Sequence, residues 1–138
     1  MTHMKKNILV VDDSALMRRV MCDIISSDSK FQATDYCRDG LEAYEKLKHT
    51  SYDGVVLDVN MPRMDGLQLL EKLQKEGIRA NVVMVSTLTD SREADVTILA
   101  MERGAIDFVA KPTNIIEAKG EAFKRQLLGC LLYTSPTH

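Results

Sequence analysis

The chain has 138 residues, of which 45% are hydrophobic, and it carries a formal net charge of -2. This length suits one domain with one core, and the composition is typical of a globular protein rather than a disordered one. Because a weakly acidic chain has no bulk attraction for nucleic acids or for anionic membranes, we expect neither as a partner.

The cysteines and the apolar runs indicate the cellular location of the protein. Cys22, Cys37 and Cys130 form no CxxC pair, which argues against a disulfide framework or a zinc site and favours a reducing compartment. No apolar run reaches the ~20 residues of a membrane span, and the start of the chain lacks the apolar stretch of a signal peptide. We therefore expect a cytoplasmic protein, with residues 1–4 interpreted as a cloning remnant.

Short apolar runs alternate with segments of helical periodicity along the chain. Strands are predicted at 7–11, 31–36, 55–57, 82–85 and 108–110, and helices at 15–26, 41–47, 67–73, 91–103 and 117–128. Ser14 is predicted to cap the first helix, and Gly104 to end the fourth. This order predicts an α/β fold with a doubly wound parallel sheet and right-handed crossovers. The predicted domain spans 5–128, and 129–138 is interpreted as a tail or truncated linker.

Polar residues follow four of the predicted strands. Asp12 and Asp13 follow the first strand, Asp58 the third, Ser86 the fourth and Lys111 the fifth. Sites in open parallel sheets lie outside the carboxyl ends of the strands, so these groups converge if the four strands are neighbours. Three carboxylates in one crevice repel, at about 4 kcal/mol for each pair ~4 Å apart. The cations Mg²⁺ and Lys111 would offset this repulsion, since Mg²⁺ prefers oxygen ligands.

A carboxylate beside Mg²⁺ can attack a phosphoryl group and form an aspartyl phosphate. In this interpretation Asp58 is the nucleophile, and Lys111 and Ser86 contact the phosphoryl oxygens. Two alternatives stay open at this point. One is a Mg²⁺-dependent phosphohydrolase, although Asp58-Val59-Asn60 lacks the second acid of a DxD motif. The other is a module that only binds metal, which would leave Lys111 and Ser86 without a role.

Four motifs resemble the receiver domains of two-component response regulators: VVDDS at 10–14, LDVNMPRMDG at 57–66, MVST at 84–87 and FVAKP at 108–112. The resemblance covers roughly 5–128 and implies a flavodoxin-like fold with strand order 2-1-3-4-5. It implies that a histidine kinase donates a phosphoryl group to Asp58. It also implies that Asp12, Asp13, Asp58 and the backbone carbonyl of Asn60 hold Mg²⁺.

The resemblance further implies a switch, in which the Ser86 hydroxyl and the Phe108 ring move after phosphorylation and Lys111 contacts the phosphoryl group. Asn60 and the apolar Leu88 would flank the path of an attacking water.

A narrower resemblance points to an effector. DDSALMRRVMCDII, CRDGLEAYEKL, MVSTLTD and GAIDFVAKP are similar to the receiver of chemotaxis protein-glutamate methylesterases. It implies a parent chain whose methylesterase domain is controlled by this one; the sequence itself contains no GxSxG hydrolase motif. Receivers of transcription regulators and stand-alone receivers are the alternatives.

Overall fold

Five parallel strands form the centre of the structure, a computed structural model that describes residues 5–87 and 93–132. The strands are β1 (Lys6–Val11), β2 (Phe31–Cys37), β3 (Gly54–Leu57), β4 (Val82–Ser86) and β5 (Ala105–Ala110). The helices are α1 (Ala15–Ser26), α2 (Gly40–His49), α3 (Gly66–Lys75), α4 (Glu93–Glu102), α5 (Ile115–Ala118) and α6 (Glu121–Leu131). The sheet order is β2-β1-β3-β4-β5, which confirms the flavodoxin-like fold.

Alternating strand side chains build two apolar layers, one on each face of the sheet. The first layer packs against α2, α3 and α4, and its buried strand residues are Leu9, Val11, Cys37, Val55, Leu57, Val82, Met84 and Ala105. The second packs against α1, α5 and α6, and its strand residues are Ile8, Val10, Phe31, Val56, Val83, Val85 and Val109. Because β1, β3 and β4 are covered on both faces, their sequences are continuous apolar runs.

Side-chain caps fix where the helices begin. Ser14 Oγ accepts a hydrogen bond from Met17 N at 3.2 Å, which confirms the predicted cap of α1. Asp65 and Gln68 form a capping box at the start of α3, so the loop after β3 ends at a defined point.

The predicted fifth helix, 117–128, is wrong as a single element. The chain forms α5, then breaks at Lys119 and Gly120, and continues as α6. Ala118 and Phe123 are both buried, yet a spacing of five would place them on different sides of one continuous helix. The break lets both side chains face the core. Helix α6 also continues past residue 128, because Leu131 lies on its buried face.

Strand β5 begins three residues earlier than predicted. Gly104 ends α4 with a φ of 103°, as expected, and the chain enters the strand at once. Ile106 and Asp107 are exposed on this edge strand, so the first half of β5 does not form a buried apolar run. The sequence prediction, which relied on such runs, therefore began only at Phe108. Residues 1–4, 88–92 and 133–138, which include parts of the predicted fourth helix and tail, lie outside the described residues. In the described part of the chain, none of the helices has the length and apolar character that crossing a bilayer requires.

Two glycines are expected to respond to alanine substitution with opposite signs. A Cβ on Gly66 would lie 2.2 Å from the backbone oxygen of Asp58, whereas one on Gly129 would meet nothing within 4 Å. We expect Gly66→Ala to lower the free energy of unfolding by about 2 kcal/mol through overpacking. Gly129→Ala, within α6, should raise it by about 0.5 kcal/mol. Urea denaturation of both variants measures this, and equal effects would contradict the close approach at Gly66.

Candidate functional site

The backbone places the acids and the lysine one residue beyond their strands. Asp12 N donates to Cys37 O at 3.1 Å, and Asp58 N donates to Val11 O at 3.0 Å. Lys111 N likewise donates to Ser86 O at 2.9 Å. These bonds continue the sheet ladder, so the side chains emerge at its carboxyl edge from neighbouring strands.

The Lys111 ammonium lies between two buried carboxylates. Its Nζ is 2.6 Å from Asp12 Oδ2 and 3.0 Å from Asp58 Oδ2. Lys111 Nζ donates a hydrogen bond to Asp58 Oδ2 and forms an ion pair with Asp12 Oδ2. The positive charge of Lys111 is therefore shared between the carboxylates of Asp12 and Asp58, both of which are almost completely excluded from solvent.

Burial and charge shift the protonation of this group. Desolvation and then the charge of Asp12 raise the pKa of Asp58, and Lys111 only partly offsets them. Burial alone would lower the pKa of Lys111, but its contacts with Asp12 and Asp58 outweigh burial and raise it. The ammonium is thus charged at neutral pH, and the paired acids remain incompletely compensated.

Three carboxylates converge as a candidate metal centre. Asp12, Asp13 and Asp58 can each offer an oxygen atom, and these atoms lie within 4.8 Å of one another. Asp13 is exposed, so the cluster is buried on one side and open to solvent on the other. Such an all-oxygen set suits a hard divalent cation. Asn60 is exposed two residues after Asp58, in the loop that joins β3 to α3.

The two residues assigned to a switch lie on adjacent strands. Ser86 is fully buried at the end of β4, and its Oγ has no hydrogen-bond partner within 5–87 and 93–132. Phe108 pairs in register with Met84, two residues before Ser86, so its ring is on the same face of the sheet as Ser86. The ring is half-buried and packs against the first apolar layer. Leu88 lies outside the described residues.

Sequence reasoning missed the part played by Arg18. Arg18 lies on α1, and its Nη1 donates to the backbone oxygen of Asp12 at 2.8 Å. The same guanidinium lies over the Tyr36 ring, 5.5 Å from its centroid. Because Tyr36 comes from β2, no local pattern around Arg18 could have indicated this contact.

A second missed pair links the loop after β3 to α2. Arg63 Nε donates to Asp39 Oδ2 at 2.9 Å, and the Asp39 carboxylate is buried. By itself, an Asp-Gly pair such as Asp39-Gly40 indicates only a turn. The pairing joins residues 24 positions apart, so it depends on the fold rather than on a motif.

Residues 8–120 match the family model described as the response regulator receiver domain. The chain belongs to the response regulator receiver family. This receiver is 44% identical over 124 residues to a protein-glutamate methylesterase/protein-glutamine glutaminase of Pyrococcus horikoshii, covering 90% of this chain but 33% of that protein. The chain thus spans about a third of the length of the curated relatives it matches.

Solved structures agree with the family assignment. The response regulator domain of Thermotoga maritima CheB superposes with a TM-score of 0.81 at 35% identity, covering 95% of this receiver and 96% of that domain. CheY in the CheX–CheY–BeF3–Mg+2 complex from Borrelia burgdorferi gives a TM-score of 0.75 at 29% identity, covering 92% and 87%. The receiver is therefore homologous to the receiver part of CheB-type methylesterases.

Removing the Asp58 charge is expected to stabilise the metal-free receiver at neutral pH. The folded-state pKa of Asp58 lies above its ordinary value of 3.8, so ionisation is less favourable in the folded state than in the unfolded state. We expect Asp58→Asn to raise the free energy of unfolding at pH 7 by about 1 kcal/mol, which corresponds to about 4 °C in Tm.

The gain should depend on pH in a defined direction. Well below the ordinary pKa of 3.8 the carboxyl is protonated in both states, so wild type and variant should converge. The gap should open as pH rises from that value to the raised folded-state pKa, and it should stay constant above it. Thermal melts of wild type and Asp58→Asn in EDTA at several pH values measure this difference in stability. A variant that is less stable than wild type at pH 7 would contradict the uncompensated charge at Asp58.

Proposed function

We propose that this receiver is a Mg²⁺-dependent phosphorylation switch in which Asp58 accepts a phosphoryl group from a phosphohistidine of a histidine kinase. The observation that carries the proposal is the charged Lys111 bridge to Asp12 and Asp58, together with the buried Ser86 hydroxyl, which has no hydrogen-bond partner in the described part of the chain. This arrangement gives a nucleophile, a fixed cation and an unused hydrogen-bond donor at one edge of the sheet.

The transfer step follows from these groups. A carboxylate oxygen of Asp58 attacks the phosphorus, the P–N bond to the donor histidine breaks, and the imidazole keeps the electron pair and takes a proton. Lys111 is already charged and can contact a phosphoryl oxygen as negative charge develops. Ser86 can donate to a second oxygen, because its hydroxyl is not engaged within the described structure.

The donor set supports Mg²⁺ as the cation. Asp12, Asp13 and Asp58 supply carboxylate oxygens and no nitrogen or sulfur, and the backbone carbonyl of Asn60 is proposed as a further ligand. When bound there, Mg²⁺ would neutralise phosphoryl oxygens during the transfer. The similar CheY from Borrelia burgdorferi, whose complex contains BeF3 and Mg+2, supports the same choice.

The readout is proposed to run from Ser86 to the surface formed by α4 and β5. Movement of Ser86 towards a phosphoryl oxygen would free space beside Phe108, and the ring would turn inward. Ile98 and Met101 on α4 and Ile106 on β5 are apolar and more than a third exposed, and these side chains are proposed to form the α4–β5 surface. Repacking of Phe108 would alter this surface, which is a two-state change of the kind used by switches.

The effector is proposed to be a methylesterase domain of the same parent chain. The relatives are about three times as long as this chain, and the one from Pyrococcus horikoshii bears the name protein-glutamate methylesterase/protein-glutamine glutaminase. In this proposal residues 5–128 and the last turn of α6 are the regulatory unit, and the apolar α4–β5 surface contacts the effector. The location is proposed to be the cytoplasm, where a histidine kinase phosphorylates its regulators.

Intact mass measurement after incubation with Mg²⁺ and acetyl phosphate tests the phosphoacceptor. We expect one added phosphoryl group on the wild-type receiver, because Asp58 is the nucleophile and Mg²⁺ completes the site. No addition is expected for Asp58→Asn or in excess EDTA. If Mg²⁺ binds but the wild-type mass is unchanged, the switch is refuted and a metal-binding module remains.

Ser86→Ala is expected to affect the stability of the phosphorylated receiver more than that of the unphosphorylated receiver. Removing a hydroxyl that makes no hydrogen bond should change the free energy of unfolding of the unphosphorylated receiver by less than about 1 kcal/mol. The rise in Tm on adding Mg²⁺ and acetyl phosphate should be smaller than in wild type, since the phosphoryl group loses a partner. Ser86→Thr keeps a hydroxyl and should retain most of the rise; an equal rise in wild type and Ser86→Ala would argue against the role.

A further inference from the structure

An ion pair between the buried carboxylate of Asp39 and the exposed side chain of Arg63 joins the loop between β3 and α3 to the start of α2. Asp39 is only 3% exposed, and its Oδ1 caps α2 by accepting from Glu42 N at 2.9 Å. Its Oδ2 accepts from both Nε and Nη2 of Arg63, which lies in the loop that follows Asp58. Arg63 is 60% exposed, so the pair spans the distance from the interior to the surface.

We infer that Arg63 is a positioning residue for the metal centre, because its bond to Asp39 fixes the loop that carries Asn60. The inference rests on the proposed function, in which the Asn60 carbonyl is a ligand of Mg²⁺.

The backbone of Arg63 indicates that the loop is held under constraint. Its φ is 67°, and among the described residues it is the one non-glycine with a positive φ. Side chains with a Cβ rarely adopt this conformation, which persists where the surroundings determine it. The ion pair with Asp39 is such a determinant, since a buried carboxylate that loses its partner is strongly unfavourable.

Two backbone contacts hold the loop on either side of this residue. Gly40 N donates to Met64 O at 2.9 Å, and a Cβ on Gly40 would lie 2.4 Å from that oxygen. Gly66 N donates to Val59 O at 2.8 Å, which closes the loop at its base. Asn60 therefore lies between the fixed base of the loop and the Arg63 anchor. Releasing the anchor would free the segment that presents the Asn60 carbonyl.

The expected consequence is a weaker metal site in a protein that remains folded. Residues that orient metal ligands typically change metal affinity by about 10–100-fold when they are replaced. We expect Arg63→Met to raise the Kd for Mg²⁺ about tenfold. Methionine keeps most of the aliphatic length of arginine but cannot bond Asp39.

The test is a Mg²⁺ titration of the 138-residue chain followed by amide chemical shifts, for wild type, Arg63→Met and Arg103→Met. Arg103 is the matched control, because it also bonds a backbone oxygen, Leu67 O at 2.9 Å, and pairs with Glu71. These contacts lie on α3 and not on the loop of Arg63. We expect the control to bind Mg²⁺ as wild type does, whereas equal Kd values for all three proteins would overturn the inference.

A double variant distinguishes positioning from general destabilisation. Asn is as good a helix cap as Asp, so adding Asp39→Asn to Arg63→Met keeps the cap of α2 and removes the buried charge. We expect the Tm to recover towards wild type while the Kd for Mg²⁺ stays raised. If Tm and Kd recover together, Arg63 acts only through stability and the inference fails.

The wild-type arm shows whether the proposed function itself has failed. If wild type binds no Mg²⁺, that function is refuted, and amide hydrogen exchange then decides whether Arg63 orders the loop. Faster exchange of the Gly40 and Gly66 amides in Arg63→Met, with unchanged exchange in Arg103→Met, would support the anchor. Unchanged exchange of both amides in Arg63→Met would overturn it.

Discussion

A single ammonium group, that of Lys111, compensates the charge of two buried carboxylates. Asp12 and Asp58 are excluded from solvent, and removing a carboxylate from water is unfavourable unless its charge is paired. Burial and then the charge of Asp12 raise the pKa of Asp58, and Lys111 offsets them only in part. A site that retains negative charge attracts a further cation, so under the proposed function the charge that is unfavourable in the metal-free fold favours binding of Mg²⁺.

The rest of the fold supplies the stability that this site removes. The central strands are covered on both faces, and their side chains are almost completely buried. Backbone hydrogen bonds extend β1 and β3 by one residue each, so Asp12 and Asp58 are held by the same ladder that holds the core. Gly66 lets α3 begin against the Asp58 carbonyl, where a Cβ would clash. The acids are thus presented by rigid elements, as a preorganised site requires.

Local signals predicted most of the elements, whereas the contacts between distant residues could not be predicted. The apolar runs and the Ser14 cap depend on neighbouring residues only, and they were confirmed. The strand order, which brings the chemical groups together, came from the family resemblance, because periodicity carries no information about which strands pair. The break at Gly120 was missed because the segment has helical periodicity on both sides. The Arg63–Asp39 pair was missed because each partner lies in a separate turn.

Under the proposed function the unphosphorylated receiver is ready to switch, because Ser86 Oγ, like Asp12 Oδ2, is buried without a hydrogen-bond partner among the described residues. The Ser86 hydroxyl is buried and has no hydrogen-bond partner among the described residues, which is unfavourable. A state in which this hydroxyl gains a hydrogen-bond partner is therefore stabilised by the free energy that the unmet hydrogen bond costs. Under the proposed function a phosphoryl group on Asp58 provides that partner, and it therefore discriminates between the two positions of Ser86. A ligand shifts an equilibrium only as far as it discriminates between states. Phe108 lies on the adjacent strand, on the same face of the sheet as Ser86, and packs against the first apolar layer. Under the proposed function, packing through this layer would carry the preference to the α4–β5 surface.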